Sequence, residues 1–193
     1  MKRLALLLPV ILILISCDKN ERDWNYVDYI FAGQENGSGI RYIDVNPDDT
    51  IRVIDYPEHL STTKSLDLNN DKTPDFEFVL DISPPSNLGA SASMLRIIPL
   101  GSNSVCVSMI NGFWVDSLPF GDTINENIKW SDSTALIYSH IHVVSGQEST
   151  SGYFFEDYGN YVAVRVEKGG HSFFGWIAIK RTILKRFAVT VPW

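Results

Sequence analysis

Positive charge is scarce in this sequence, which has 16 Lys and Arg residues against 23 Asp and Glu residues and a formal net charge of −7. An acidic surface repels nucleic acid and lacks the polybasic patch that anionic lipid surfaces attract. The same surface is compatible with divalent cations. The composition therefore argues against nucleic-acid-binding classes and leaves cation binding open.

The sequence also lacks the short motifs of common catalytic and nucleotide-binding sites. After residue 16 there is no GxSxG, P-loop, GxGxxG or HExxH pattern. Adjacent carboxylates such as Glu156 and Asp157 would face opposite sides of a strand. A glycosidase pair assembled from distant strands stays open. The sequence favours a binding or structural role over catalysis.

No stretch has the periodicity of a convincing amphipathic helix, and apolar residues alternate instead. The alternation is clear in residues 76–82 and 161–168, and turn residues such as Lys-Gly-Gly at 168–170 separate the runs. In the last run four residues are predicted to share one face: Ile183, Phe187, Val189 and Val191. About nine to eleven short strands are predicted, and the fold class is an all-β antiparallel β-sandwich or jelly roll.

The first residues have the form of an export signal. Lys2 and Arg3 precede an apolar run, residues 4–15, that is short for a membrane span and suits a signal-peptide core. The segment Leu-Ile-Ser-Cys at 14–17 resembles the lipobox of bacterial lipoproteins. That resemblance implies cleavage before Cys17 and acylation of Cys17, which anchors the chain in a membrane. An ordinary signal peptide that ends near a cysteine is the alternative.

The predicted organisation is a signal peptide at 1–16, a lipidated tether at 17–25 and one β-sandwich domain at 26–193. Asp18, directly after the cysteine, resembles an inner-membrane retention signal. The Lys-plus-acidic cluster that follows resembles a surface-export signal of Bacteroidota. We expect the outer membrane, including its outer face, rather than the inner membrane.

Residues 65–78, SLDLNNDKTPDFEF, place oxygen-bearing residues at alternate positions. Calcium takes six to eight hard oxygen ligands, and side chains at alternate residues of a tight loop can converge on one ion. The pattern resembles calcium loops of integrin-type propeller repeats and thrombospondin type 3 repeats over nine residues. The candidate ligands are Asp67, Asn69, Asp71, Thr73, through its carbonyl, and Asp75.

A polar hairpin turn, in which Asn and Asp cap their own backbone, is the alternative for this loop. Lys72 stands where these calcium loops have Gly, so it must adopt a backbone angle that is unfavourable with a Cβ present, and it adds a positive charge. Both features favour the turn. Phe78 stands where an EF-hand has its Glu, which excludes an EF-hand. Repulsion between carboxylates in one turn favours the cation. A second acidic stretch at 44–49 contains Pro47 and is predicted to be a plain turn.

Two further groups of residues were candidates for chemistry. His140 and His142 would face the same side of a strand and could supply two zinc ligands, with His59, His171 or a carboxylate as a third. A solvated strand face is the default interpretation. Cys106 lies between strand-like neighbours and has no disulfide partner once Cys17 is acylated, so a buried inert thiol is predicted.

Aromatic residues make up 12% of the chain. They could stack on sugars, as in β-sandwich carbohydrate-binding modules, or fill the core. Three consecutive aromatic residues at 153–155 cannot all face inward, so we expect some exposed rings there. The candidate platform residues are Trp114, Trp130, Tyr153, Phe154, Phe155, Tyr158, Tyr161 and Trp176.

The C-terminal third resembles a recurring ending of secreted bacterial β-proteins. Tyr161-Val162, Val164-Arg165, Gly170 and Gly175-Trp176-Ile177 carry the match. The resemblance implies a fold and an envelope location but no activity. The sequence therefore predicts a lipid-anchored envelope β-sandwich with a binding or structural role and one structural calcium ion. A glycan-binding or glycan-processing surface domain is the alternative, and the glycan or envelope-protein partner is unidentified.

Overall fold

The computed structural model describes residues 27–53, 60–85, 90–143, 145–152, 161–180 and 182–191. The predicted signal peptide, the tether with Cys17, His59 and the aromatic stretch 153–158 lie outside these residues. The described residues form thirteen strands: β1 (Ile30–Phe31), β2 (Ile40–Thr50), β3 (Ser61–Leu66), β4 (Phe76–Ser83), β5 (Ala90–Pro99), β6 (Ser104–Cys106), β7 (Thr123–Ile124), β8 (Trp130–Ser131), β9 (Ala135–Val143), β10 (Glu148–Gly152), β11 (Tyr161–Lys168), β12 (His171–Lys180) and β13 (Ile183–Thr190).

The strands form three antiparallel sheets, which confirms the predicted all-β sandwich class. One sheet has the order β10-β9-β5-β4-β3, the second has the order β2-β13-β12-β11-β6-β8, and β1 pairs with β7. Four strands have only two or three residues, so there are more strands than the alternating runs predict. The part of the chain that the structure describes holds no helix with the length and apolarity needed to cross a bilayer.

The first hydrophobic core lies between the five-stranded and six-stranded sheets. Alternate residues of β4, which include Phe76, Phe78 and Leu80, point into it from one side. Val162 and Val164 of β11 belong to the same core. Both strands therefore follow the predicted alternation, because successive side chains of a strand point to opposite faces.

A second core lies on the other face of the six-stranded sheet. Trp176, Tyr161 and Phe174 pack there against Ile30 of β1 and Ile124 of β7. We call the pair β1 and β7 the cover. Because the cover shields this face, β12 is buried on both sides, from residue 173 to residue 179. The sandwich thus has a short third layer.

Strand β13 contains a break in register that alters the predicted face. The pairing with β2 shifts between Leu184 and Arg186. Leu184, Phe187 and Val189 belong to the first core, whereas Ile183 does not. The prediction that Ile183 shares a face with Phe187 was wrong, because a bulge changes which side of the sheet the following residues face.

The acidic stretch 44–49 lies within strand β2, so the prediction of a plain turn there was wrong. The Asn46–Pro47 peptide bond is cis. Among the described strands, β2 is the last one of its sheet and pairs with β13 alone. An edge strand tolerates proline because a missing backbone N–H on its open side breaks no ladder hydrogen bond.

Candidate functional site

Four segments that are distant in the sequence meet at one end of the sandwich, which we call the tip end. They are loop 67–75 between β3 and β4, turn 169–170 between β11 and β12, and the start of β2 beside the end of β13. Gly169 and Gly170 have φ values of 62° and 79°, and Lys168 pairs with His171 across the turn. This confirms the predicted hairpin, since a tight hairpin turn with two positive φ angles favours glycine.

Asp67 organises the first half of the acidic loop. Its Oδ1 accepts hydrogen bonds from the backbone N–H groups of Asn70 at 2.6 Å and Asp71 at 3.2 Å. Its Oδ2 accepts one from the N–H of Lys72 at 2.8 Å. Lys72 has φ 72°, so the predicted unfavourable backbone angle at this position is confirmed. The side chain of Asp67 caps the backbone of its own loop.

Asp75 anchors the second half of the loop inside the domain. Only 5% of the residue is exposed. Its Oδ2 accepts from the N–H groups of Leu68 at 2.8 Å and Asn69 at 3.3 Å. Its Oδ1 accepts from the amides of Asn69 at 3.2 Å and Asn103 at 3.3 Å. The hydrogen bonds from these donors act to lower the pKa of the Asp75 carboxyl. Burial has the larger effect and raises this pKa above its ordinary value.

Asp71 joins the loop to the neighbouring hairpin. Its Oδ2 lies 2.9 Å from Nζ of Lys168, and its Oδ1 accepts from the N–H of Thr73 at 2.9 Å. The hydrogen bond from Lys168 lowers the pKa of the Asp71 carboxyl. The side-chain oxygen of Asn69 accepts from the N–H of Asp71 at 3.0 Å.

All three carboxylates of the predicted calcium loop therefore accept hydrogen bonds from donor groups of the protein itself. They belong to Asp67, Asp71 and Asp75. This is the hydrogen-bonding pattern of a self-capping polar turn. Among the described residues, no group of three or more His, Cys, Asp or Glu side chains is placed to hold a metal ion. The calcium prediction continues to rest on the sequence pattern.

Beside this loop lies a cleft of about 770 Å³, which we call the tip cleft. Ile40, Phe173 and Val191 give it apolar walls, and Arg41 and Lys168 add two positive charges. The volume is in the range of pockets that hold small organic molecules, which are mostly apolar with a few placed polar groups. Sequence analysis missed this site because its residues come from four separate segments.

A second cavity of about 470 Å³ lies across the β11–β12 turn. Asp28, Tyr29 and Glu126 line it, and His171 lines both this cavity and the tip cleft. Asp28 therefore lies at the tip end, close to the tip cleft.

The histidine pair lies on the β9–β10 hairpin. Nδ1 of His140 is 2.9 Å from Oγ1 of Thr150, and Nδ1 of His142 is 3.2 Å from Oε1 of Glu148. Neither histidine belongs to a possible metal group in the described part of the chain. The pair makes cross-strand polar contacts, which are typical of a solvated strand face.

Most described members of the predicted sugar platform pack inside the protein. Trp176 and Tyr161 are core residues of the second core. Trp130 is half-buried and stacks on Phe174 at a centroid distance of 5.9 Å. Trp114 is also half-buried. Trp176, Tyr161 and Trp130 follow the core-filling alternative, since a sugar platform requires exposed ring faces. Trp114 belongs to neither core and lies beside the exposed Phe113.

Among the described residues, the four most exposed large apolar side chains instead lie on the loop between β6 and β7, and one of them is Phe120, which is 74% exposed. Ile110 is 96% exposed, Met109 is 76% exposed and Phe113 is 55% exposed. Sequence analysis missed this loop because the run SVCVSMINGFW resembles a buried strand. Clustered exposed apolar residues are typical of surfaces that contact other molecules.

Cys106 is a buried thiol at the end of β6, as predicted. Burial raises the pKa of Cys106 to about 12, with a smaller contribution from the negative charge of Asp116. Because the thiolate is the reactive form, the thiol is unreactive at neutral pH.

We expect native protein with the Cys17→Ser substitution to resist modification by 5,5′-dithiobis(2-nitrobenzoate) at pH 8. The reason is the high pKa and burial of Cys106. The same protein in guanidinium chloride should release one equivalent of thionitrobenzoate, measured at 412 nm. Rapid stoichiometric release from the native protein would contradict the buried position.

The comparisons with known proteins returned nothing. No protein-family model matches the chain, and searches of curated proteins and solved structures found no match. The function is therefore inferred from the fold and from the residues of the tip cleft.

Proposed function

We propose that this chain is a lipid-anchored cell-envelope protein that binds a small ligand in the tip cleft and has no catalytic role. The tip cleft is the observation that supports binding. It combines a volume of about 770 Å³ with apolar walls and two cationic side chains. Pockets of this kind bind small molecules and orient them through a few polar groups.

The proposed anchor is consistent with the position of the cleft. Cys17 would hold the chain in the outer membrane through its acyl groups. Asp28 lies eleven residues after Cys17 in the sequence and lines the cavity next to the tip cleft. The anchor would thus place the cleft on the membrane side of the domain.

The anchor is tested in a bacterial host with the full-length chain. We expect the wild-type protein in the outer-membrane fraction, with acyl groups on Cys17 by mass spectrometry. Cys17→Ser should release it from the membrane. An unmodified Cys17 in purified envelopes would overturn the anchor.

The cleft is tested with N-phenyl-1-naphthylamine, an uncharged apolar probe whose fluorescence rises in apolar sites. The protein is the unacylated mature chain, residues 17–193. We expect saturable binding that Val191→Trp weakens at least tenfold, because the indole would fill the cleft. Ile141→Trp, at an exposed position of β9, is the matched control and should bind as the wild type does.

Thermal unfolding checks that Val191→Trp is folded. Absence of saturable binding to the folded wild type would overturn the proposed binding function. A glycan panel in the same assay tests the alternative, and glycan binding without probe binding would replace the proposal.

The proposal retains one structural calcium ion at the sequence-predicted ligands. Support comes from the sequence, which places oxygen-bearing residues at alternate positions of a tight loop. To bind the cation, the carboxylate of Asp71 would have to give up its ion pair with Lys168.

Calcium at 5 mM is expected to raise the melting temperature by about 3–5 °C relative to EGTA. A dissociation constant of about 0.5 mM, typical of extracellular modules, gives roughly 1.4 kcal/mol of stabilisation. Asp71→Asn should abolish the rise. Asp48→Asn is the control, because Asp48 pairs with Lys185 at 3.0 Å on a distant strand. Equal melting temperatures in calcium and EGTA would contradict the calcium site.

A further inference from the structure

We infer that the ligand of the tip cleft is an amphipathic anion, with an apolar body and one carboxylate, sulfonate or phosphate group. This inference rests on the proposed binding function and specifies its ligand class. The cleft combines an apolar wall with charged residues at its edge.

The apolar part of the cleft comes from residues of both cores, at one end of the six-stranded sheet. Phe173 and Val191 belong to or pack against the first core, and Ile40 packs against the second core. Their positions in the sheet fix these side chains, so the wall is pre-formed. A hydrocarbon or ring system that covers it gains roughly 25 cal/mol per Å² of buried apolar surface.

Arg41 supplies the positive charge. Its Nη1 donates a hydrogen bond to the carbonyl oxygen of Asn69 at 2.9 Å, which holds the guanidinium at the cleft. Arg41 makes no ion pair with any residue that the structure describes. A guanidinium has five N–H donors in a planar fork, so donors remain for a planar anion. An anionic ligand group would neutralise this charge.

Lys168 also lines the cleft and strengthens the preference for an anionic ligand. Its ammonium pairs with Asp71 at 2.9 Å, which places it but leaves further N–H donors. Among the described residues, no acidic side chain lines the tip cleft, whereas Asp28 and Glu126 line the neighbouring cavity. The two adjacent cavities therefore differ in charge, and only the tip cleft suits an anion.

The net charge of −7 limits how the anion can be attracted. The acidic protein repels anions at long range, and this repulsion is screened beyond a Debye length of about 8–10 Å. Attraction must therefore come from short-range contacts with Arg41 and Lys168 inside the cleft. The apolar body is needed because an ion pair at a half-open site contributes little by itself.

Two sources could supply such a molecule, a lipid of the bilayer or a free amphiphile such as a fatty acid. The predicted tether, residues 17–25, spans at most about 32 Å when fully extended. The tip end would thus stay within reach of the membrane that holds Cys17. The experiment separates the two sources.

The test compares 1-anilinonaphthalene-8-sulfonate with the uncharged N-phenyl-1-naphthylamine, which share one aromatic framework. With the mature chain, the sulfonate is expected to bind about tenfold more tightly than the uncharged probe. Arg41→Gln should weaken sulfonate binding about tenfold and change binding of the uncharged probe less than twofold. Lys168→Gln should weaken sulfonate binding by a smaller factor.

Lys185→Gln is the matched control, because Lys185 forms a comparable ion pair with Asp48 at 3.0 Å away from the cleft. It should leave binding of both probes unchanged. Equal affinity for the two probes, or an unchanged sulfonate affinity in Arg41→Gln, would overturn the inference while the binding function stands. Failure of both probes to bind would overturn the binding function itself.

Competition and vesicle sedimentation identify the source. Laurate should displace the sulfonate probe at concentrations at least tenfold lower than dodecanol, and equal displacement by dodecanol would overturn the inference. Co-sedimentation with phosphatidylglycerol vesicles, but not with phosphatidylcholine vesicles, that is lost in Arg41→Gln would support a membrane lipid. Displacement by laurate without sedimentation would support a free amphiphile.

Discussion

Trp176→Ala should lower the free energy of unfolding by about 3–5 kcal/mol, the usual range for removing a fully buried aromatic side chain. Trp176 is 0% exposed and lies at the centre of the second core. Its ring meets Tyr161 edge to face at a centroid distance of 5.0 Å. The indole Nε1 also donates a hydrogen bond to the carbonyl oxygen of Gln34 at 3.1 Å.

The loss of stability is large because Trp176 packs between the cover and the six-stranded sheet. Without the indole, Ile30 and Ile124 lose their largest packing partner, and the Gln34 carbonyl loses its donor. The melting temperature should fall by roughly 6–20 °C, since each kcal/mol shifts it by about 2–4 °C in a chain of this size.

Guanidinium unfolding followed by circular dichroism measures this effect. Phe113→Ala is the control, because it removes an aromatic ring that is 55% exposed and should change stability by less than about 1 kcal/mol. A loss below about 1.5 kcal/mol in Trp176→Ala would show that the cover does not depend on this residue.

Asp75→Ala should cost about 3–5 kcal/mol for a different physical reason. The substitution strands the N–H groups of Leu68 and Asn69 and the amide of Asn103, all of which donate to the Asp75 carboxylate. Each buried donor left without a partner costs about 1–3 kcal/mol. Leu68 is fully buried, so water cannot easily replace the lost acceptor.

Asp71→Ala is the matched control, because it removes the same group from an exposed position of the same loop. Its contact with Lys168 is exposed to solvent, so we expect it to contribute little to stability. Both variants are unfolded in urea with EGTA present, so that calcium does not contribute. Equal losses for the two variants would refute the anchoring role of Asp75.

The pH dependence of the Asp75→Ala effect follows from the raised pKa of this carboxyl. Between the ordinary pKa and the raised one, the folded state binds more protons than the unfolded state at this site. The contribution of Asp75 to stability is therefore greatest below the ordinary pKa and declines as pH rises through the raised value. The difference between the wild type and Asp75→Ala should accordingly grow as pH falls through this window.

The sequence by itself determined the features that arise from neighbouring residues. Alternation in residues 76–82 and 161–168 fixed two core strands, and Lys-Gly-Gly fixed the hairpin between β11 and β12. The unfavourable backbone angle of Lys72 was also foreseeable, because this residue stands where similar calcium loops have Gly. Backbone sterics and the two-residue period of a strand act over a few residues, so they can be read directly from the chain.

Tertiary structure alone decided which residues the sheets bring together. Burial of β12 on both faces depends on the cover, whose strands lie far from β12 in the chain. The bulge in β13 places Leu184 rather than Ile183 in the core, and Asn103 reaches Asp75 from 28 residues away. The tip cleft combines Arg41, Lys168 and Val191 only because the strands pair in this register. Such contacts depend on long-range packing free energy, which local periodicity does not encode.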